Sequence, residues 1–266
     1  MNQTDLFAFK LDGQDKKHQA AGTAMDETSA MQYLASHGQT KTGNDTIFSW
    51  FARYQQAAES GADAVNGTVG ALLEDDGMLA INTVVDEAIR AAPPVEFAAY
   101  APLKGLPSFL DLSTTLALGE DRRRLEELGL AMGATASPGG SGALFLAAAN
   151  LAERGEAVLL RDRHWGPYTG FLRGCGLEID TYQLLPSSDD GTTPNLDLEG
   201  FRDGVARLAE RQGSVMTWLN DPAHNPTGLS LSPESRYALL DAFMESAAAN
   251  EHIGHTLLID AAYHLY

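Results

Sequence analysis

Beyond residue 133 the chain alternates short apolar runs with stretches whose apolar positions recur about every three to four residues, the spacing of one helix face. Ala157–Leu160, Leu177–Tyr182, Val215–Leu219 and Thr256–Asp260 read as strands, and a further short strand is expected just before Gly133–Pro138. Between them Ser141–Arg154, Pro167–Arg173, Leu198–Arg211 and Pro233–Ala249 read as helices. Strands alternating with helices predict an α/β fold, a mostly parallel sheet with helices on both faces. In such sheets ligands sit beyond the carboxyl ends of the strands, so the residues following each strand are those to inspect.

The preceding part is less regular. Ile47–Ala58 places Ile47, Phe48, Phe51, Tyr54 and Ala58 on one helical face, and Asp63–Ala71 is apolar and extended. Glu74-Asp75-Asp76-Gly77 is a turn and Leu79–Ala91 a helix. Pro93, Pro94, Pro102 and Pro107 punctuate a linker that holds Tyr100. Residues 1–45 are polar and weakly periodic, an extension or arm. The expected division is therefore 1–45 as arm, 46–105 as an N-terminal segment and linker, and 106–266 as part of a ligand-binding domain.

Composition narrows the function classes. The 266 residues are 44% hydrophobic with a formal net charge of -18. That balance argues against nucleic-acid binding, which runs on Lys and Arg contacts to phosphate, and against attraction to anionic membranes. It favours a small-molecule ligand in a locally positive pocket. No apolar run reaches membrane-spanning length. Met1–Asp15 lacks a basic stretch leading into an apolar one, so no secretory signal is expected there. The single cysteine, Cys175, fits a reducing cytoplasm and a core position.

Chemistry gathers at the strand ends. Ser137-Pro138-Gly139-Gly140-Ser141-Gly142-Ala143 opens a helix, where glycines allow close backbone approach and free N–H groups favour an anion such as phosphate. The same stretch is one residue off a nucleophile elbow, with Ser141 as nucleophile and Asp260 and His264 following in hydrolase order. Trp165 follows the next strand and offers a flat stacking face or simple rim packing. Asn225-Pro226-Thr227-Gly228 fixes an unusual backbone in which Pro226 steers Asn225 away from helix. Asp260, at the end of an apolar strand, needs a cation or donors, or else caps the next segment. His252, His255 and His264 lack the spacing of a metal site and read as loop histidines.

Taken in order, these motifs resemble the fold type I, class I/II aminotransferases that depend on pyridoxal phosphate, the aspartate and aromatic amino-acid aminotransferase group. The most diagnostic parts are Asn225-Pro226-Thr227-Gly228 and Asp260-Ala261-Ala262-Tyr263, with Val69-Gly70 and Tyr100-Ala101-Pro102-Leu103-Lys104-Gly105-Leu106-Pro107 in support. The resemblance runs from about Val65 to the last residue. It implies the large domain of that fold, incomplete at the C-terminus, and pyridoxal 5'-phosphate as cofactor. Gly140 and Ser141 would receive the phosphate, Trp165 would stack on the ring, and Asp260 would pair with the ring nitrogen. Asn225 and Tyr263 would hydrogen-bond the phenolic oxygen, Gly70 would lie beside the substrate, and Tyr100 would reach the phosphate of a neighbouring subunit, which implies a homodimer. A cis Asn225–Pro226 bond is also implied.

The sequence departs from the family's pattern in two places. Gly139 stands where Ser or Thr is usual. The family's Schiff-base lysine lies beyond the Asp/Tyr pair, whereas the lysines here are Lys10, Lys16, Lys17, Lys41 and Lys104. The expected function is transfer of an amino group from an aspartate-type or aromatic amino acid to a 2-oxo acid, with the lysine supplied beyond this chain, by a longer polypeptide or a second one that completes the fold. Without that portion the sheet is expected to have a hole beside Val215–Leu219. Two other readings stand beside this one, a non-catalytic fragment that only binds cofactor, and the Ser141 hydrolase.

Overall fold

The computed structural model describes residues 33–39, 46–67, 70–186 and 195–265. The expectations for Val69 and for most of the arm, including Lys10, Lys16, Lys17 and Lys41, lie outside the described residues. The chain divides into two compact units, Met1–Glu96 and Phe97–Tyr266. Among the described residues no helix is long and apolar enough to cross a membrane.

In the first unit α1 (Ser36–Gln39) and α2 (Thr46–Glu59) precede a small antiparallel bridge between Leu73 and Leu79. The acidic turn lies inside that bridge, where the Gly77 N–H donates to the Glu74 carbonyl at 2.9 Å. α3 (Thr83–Ala91) then starts later than the apolar pattern suggests, because Leu79 is held in the bridge. Asn82 caps it, its side chain accepting from the Val85 N–H at 3.2 Å, which satisfies one of the free donors of the first turn. α4 (Pro94–Ala98) follows at the boundary.

The second unit opens with α5 (Pro107–Leu118) and α6 (Asp121–Glu127), two helices that the sequence pattern did not single out. Pro107 begins α5 with φ already suited to helix, and Gly119 ends it at φ 55. Then come α7 (Gly139–Asn150), β1 (Ala157–Arg161), α8 (Pro167–Gly174), β2 (Glu178–Tyr182), α9 (Leu198–Arg211), β3 (Ser214–Asn220), α10 (Pro233–Ala249) and β4 (Gly254–Asp260). The four strands form one parallel sheet in the order β2-β1-β3-β4.

β1 is buried along its whole length, as a strand covered on both faces must be. Alternation sorts its side chains. Ala157 and Leu159 pack with Phe201, Val205, Leu208, Leu239 and Phe243 of α9 and α10. Val158 and Leu160 pack with Leu144, Ala148, Tyr168 and Leu172 of α7 and α8. Gly204 of α9 lets the helix approach the sheet closely, since a Cβ there would come within 2.7 Å of Leu159 Cδ1.

Two expectations are corrected. The segment before Gly133–Pro138 forms no strand, because among the described residues no strand runs beside it to share a ladder; the Leu130 N–H instead turns back to the Leu125 carbonyl at 3.2 Å. Nor is there a hole beside Val215–Leu219. β3 pairs with β1 on one side and with β4, from Ser214↔Gly254 to Asn220↔Asp260, on the other. The open edge is instead the outer side of β4, where among the described residues no strand pairs and Ile259 is 55% exposed.

Candidate functional site

The carboxyl ends of β1, β3 and β4 and the start of α7 surround a cavity of about 240 Å³ lined by Gly140, Ser141, Leu144, Trp165, Asn220, Asn225, Asp260, Ala262 and Tyr263. Six of the residues singled out from the sequence therefore meet at one place: Gly140, Ser141, Trp165, Asn225, Asp260 and Tyr263.

Each arrives for a local reason. Gly139 begins α7 at φ 70, in the left-handed region that side-chain-bearing residues rarely adopt, which accounts for glycine where a hydroxyl residue was usual. The residue preceding α7, Pro138, makes no side-chain cap, and a Cβ on Gly140 would have nothing within 4 Å. The helix thus presents uncapped N–H groups and open space to an anion. Trp165 stands at the entry to α8, its ring edge-on to Tyr168 (centroids 5.6 Å, 90°) and tilted against Phe171 (6.1 Å).

The loop after β3 holds cis bonds at Asp221–Pro222 and Asn225–Pro226. Asn225 Nδ2 donates to Tyr263 Oη at 3.1 Å, so these two side chains reach the cavity as a pair. Asp260 is half-buried at the end of β4, and its Oδ1 accepts from the Ala262 N–H at 3.2 Å. A carboxylate, paired amide and phenol donors, a flat indole and a helix N-terminus suit a planar heteroaromatic phosphate with a basic ring nitrogen and a phenolic oxygen.

Two contributors were not singled out from the sequence. Tyr168 Oη donates to Asp260 Oδ2 at 2.6 Å from a position only 2% exposed. Burial first, and then this hydrogen bond and the carboxylate's charge, raise the phenol's pKa above its ordinary value. Asn220 Nδ2 donates to the Asp260 carbonyl at 2.9 Å while its Oδ1 accepts from the Asn225 N–H at 2.6 Å.

The remaining candidates lie apart. Tyr100 is 96% exposed and does not line the cavity. Gly70 is exposed and belongs to the other compact unit. The Ser141–Asp260–His264 relay is not formed: the Asp260 oxygens go to Tyr168 and Ala262, and His264 Nδ1 faces the Ala261 carbonyl at 2.6 Å.

A family model described as "Aminotransferase class I and II" matches residues 62–265. The aromatic-amino-acid aminotransferase of Escherichia coli (strain K12) is 28% identical over 223 residues, 82% of this chain and 52% of that protein. The mitochondrial aspartate aminotransferase of Dictyostelium discoideum is 29% identical over 166 residues, 62% of this chain and 35% of that protein. Among solved structures, an aminotransferase from Anaerococcus prevotii superposes with a TM-score of 0.76 at 21% identity, covering 85% of this chain and 53% of that one. The cytoplasmic aspartate aminotransferase of Saccharomyces cerevisiae gives 0.66 at 22% identity, covering 88% and 52%. The chain thus spans about half the length of most of these relatives and about a third of the Dictyostelium one.

Proposed function

Because the chain belongs to the class I and II aminotransferase family and has the pyridoxal-phosphate-dependent fold type I, we propose that it forms the cofactor-binding part of an enzyme that moves an amino group from an aspartate-type or aromatic amino acid to a 2-oxo acid. The observation that carries this reading is the convergence of Gly140, Ser141, Trp165, Asn225, Asp260 and Tyr263 on one cavity. Pyridoxal phosphate, when bound, supplies an electron sink for the pair left as the substrate's α-proton departs.

In this reading the chain's own residues do the following. Gly140 and Ser141 at the start of α7 hold the phosphate through backbone N–H groups and a hydroxyl. Trp165 covers one ring face and excludes water from it. Asp260 keeps a proton on the ring nitrogen, which makes the ring a better acceptor of negative charge. Asn225 and Tyr263 donate to the phenolic oxygen and stabilise its anion. Tyr100, almost fully exposed, reaches a second copy's phosphate in a homodimer, and Gly70 lies beside the substrate.

The amine that would hold the cofactor comes from a further stretch of polypeptide. Supporting this, among the described residues no lysine lines the cavity, and Lys104, the one lysine among them, lies elsewhere. The outer edge of β4, without a strand partner among the described residues, is the place such a stretch would join the sheet. Alone, the chain binds cofactor and does not turn over. A cytoplasmic location belongs to the same reading, supported by the single cysteine.

Titration calorimetry of the 266-residue chain with pyridoxamine phosphate, which needs no lysine, tests the reading. Expected is saturable one-site binding, weakened about tenfold or more in Asp260→Asn, the order of a lost charge-assisted hydrogen bond. No binding, or binding indifferent to Asp260→Asn, overturns it.

A further inference from the structure

Arg161 is the last residue of β1, 3% exposed, and its Nε and Nη2 meet no hydrogen-bond partner. The N–H groups of these two nitrogens point the same way along one edge of the planar guanidinium, the edge that grips an anion with two parallel hydrogen bonds. That gripping edge is buried and unused. By alternation along β1, Arg161 shares the α9–α10 face of the sheet with Ala157 and Leu159, away from the Gly140–Trp165 cavity.

Burying a charge without a counter-charge is strongly unfavourable, and the surrounding groups supply none. Among the described residues no carboxylate forms an ion pair with Arg161. Tyr182 of β2 accepts a hydrogen bond from the guanidinium, but burial raises its pKa more than Arg161 lowers it, so the phenol stays neutral. His224, after β3, is held neutral by burial and then by the same positive charge. The carboxylates of this region are engaged elsewhere. Asp162 accepts from the Leu184 N–H at 2.8 Å and Asp197 from the Gly200 N–H at 3.0 Å. Asp221 accepts from the Leu231 N–H at 2.8 Å and from Arg236 Nε at 2.8 Å.

We infer that Arg161 anchors a buried anion site, in which Nε–H and Nη2–H hold one small monovalent anion of the halide or formate class. The small size follows from the burial of both nitrogens. The single charge follows from the surroundings. One negative charge matches one guanidinium, whereas a doubly charged phosphate or sulfate leaves an excess inside the fold. That excess would face acidic neighbours: Tyr182 also lines an open cavity of about 330 Å³ whose walls include Asp162, Asp197, Glu199 and Asp203. Arg161 does not line this cavity, so the Tyr182 ring stands as the wall between the open space and the guanidinium. The site is separate from the cofactor reading and does not depend on it.

Urea unfolding of the 266-residue chain in sodium chloride, sodium formate and sodium gluconate at equal ionic strength tests the inference, gluconate being too large for a buried position. Chloride and formate should stabilise the parent along a saturating curve, and gluconate should not. An anion present at about ten times its dissociation constant raises the folded-to-unfolded ratio about elevenfold. Arg161→Met keeps the apolar stem and removes the gripping edge, so chloride, formate and gluconate should give it one common midpoint. A crystal of the parent grown in sodium bromide reads the site directly and serves if the methionine variant folds poorly, with an anomalous peak expected beside Nε and Nη2. A parent indifferent to the choice of anion, a chloride effect that persists undiminished in Arg161→Met, or a water molecule in place of bromide overturns the inference. Each of these outcomes leaves the binding of pyridoxamine phosphate, and the reading that rests on it, untouched.

Discussion

The backbone N–H of Asn225 donates to the side-chain carbonyl of Asn220 at 2.6 Å. Through its Nδ2 the same Asn220 side chain reaches the Asp260 carbonyl at 2.9 Å. One amide, 4% exposed, therefore ties the ends of β3 and β4 to the loop that carries Asn225. Asn220→Leu keeps the volume and removes both bonds. Each buried group left without a partner costs about 1–3 kcal/mol. Urea denaturation should show a loss in that range or above, and Asn220→Leu should also weaken pyridoxamine phosphate binding by displacing Asn225. A variant as stable as the parent would show that the two bonds are replaced at no cost.

Trp165 provides the flat wall of the cavity. Trp165→Leu retains apolar bulk and removes the π face. The stacking component of aromatic contacts is about 0.5–1.5 kcal/mol beyond buried area. The dissociation constant for pyridoxamine phosphate should then rise by about three- to tenfold in Trp165→Leu, and by less in Trp165→Phe. Calorimetry ranks the three proteins, and equal affinity in all of them would exclude stacking on Trp165.

Much of the cavity was legible because parallel sheets place ligands after strand ends, and the apolar runs located those ends. Gly140, Trp165, Asn225 and Asp260 each follow such a run or open the helix beyond it. Tyr168 was not legible in the same way. It looks like one more apolar residue of α8, and its partner Asp260 lies 92 residues away, so only the packed fold joins them. Asn220 reads as the last residue of a strand, and its role appears only once β4 lies beside β3. α5 was missed because its apolar residues spread round the helix: Phe109, Leu112 and Leu116 share one face, but Leu110, Ala117 and Leu118 lie on others. The short strand expected before Gly133 fails for the opposite reason, since an extended apolar segment becomes a strand only when another lies beside it.

Gly204 marks where α9 lies closest to the sheet. A Cβ there would come within 2.7 Å of Leu159 Cδ1, and Leu159 is fully buried. Gly204→Val forces the helix outward or Leu159 off its rotamer, at a cost of about 1–3 kcal/mol. Gly204→Ala brings that Cβ clash without the further Cγ atoms of valine, and regains up to about 1 kcal/mol of helix propensity that offsets part of it. Chemical denaturation should therefore rank the parent and Gly204→Ala close together, with Gly204→Val clearly less stable. A valine variant equal to the parent would mean that the α9–β1 contact yields freely.

His224 is 2% exposed, and its Nδ1 lies 2.9 Å from Thr227 Oγ1. Burial first, and then the positive charge of Arg161, lower its pKa below the ordinary 6.5. In the unfolded chain the imidazole takes up a proton as the pH falls through about 6.5, whereas in the folded protein it stays neutral to lower pH. Stability is therefore full above that value. It falls as the pH drops from about 7 toward the folded pKa, by at most about 1.4 kcal/mol per pH unit from this group. Arg161 is itself 3% exposed, and its Nε and Nη2 meet no hydrogen-bond partner. Arg161→Met removes that charge, so His224 should titrate closer to 6.5 and the acid-side slope should flatten. Relief of a buried, poorly paired charge opposes the loss of the hydrogen bond between Arg161 and Tyr182. At pH 7.5 the variant should accordingly lie within about 1 kcal/mol of the parent, since a net hydrogen bond is worth about that much. Urea midpoints at pH 7.5 and 5.5, with an NMR titration of the imidazole, check both points. Parallel slopes in parent and variant would exclude Arg161 as a cause of the lowered pKa.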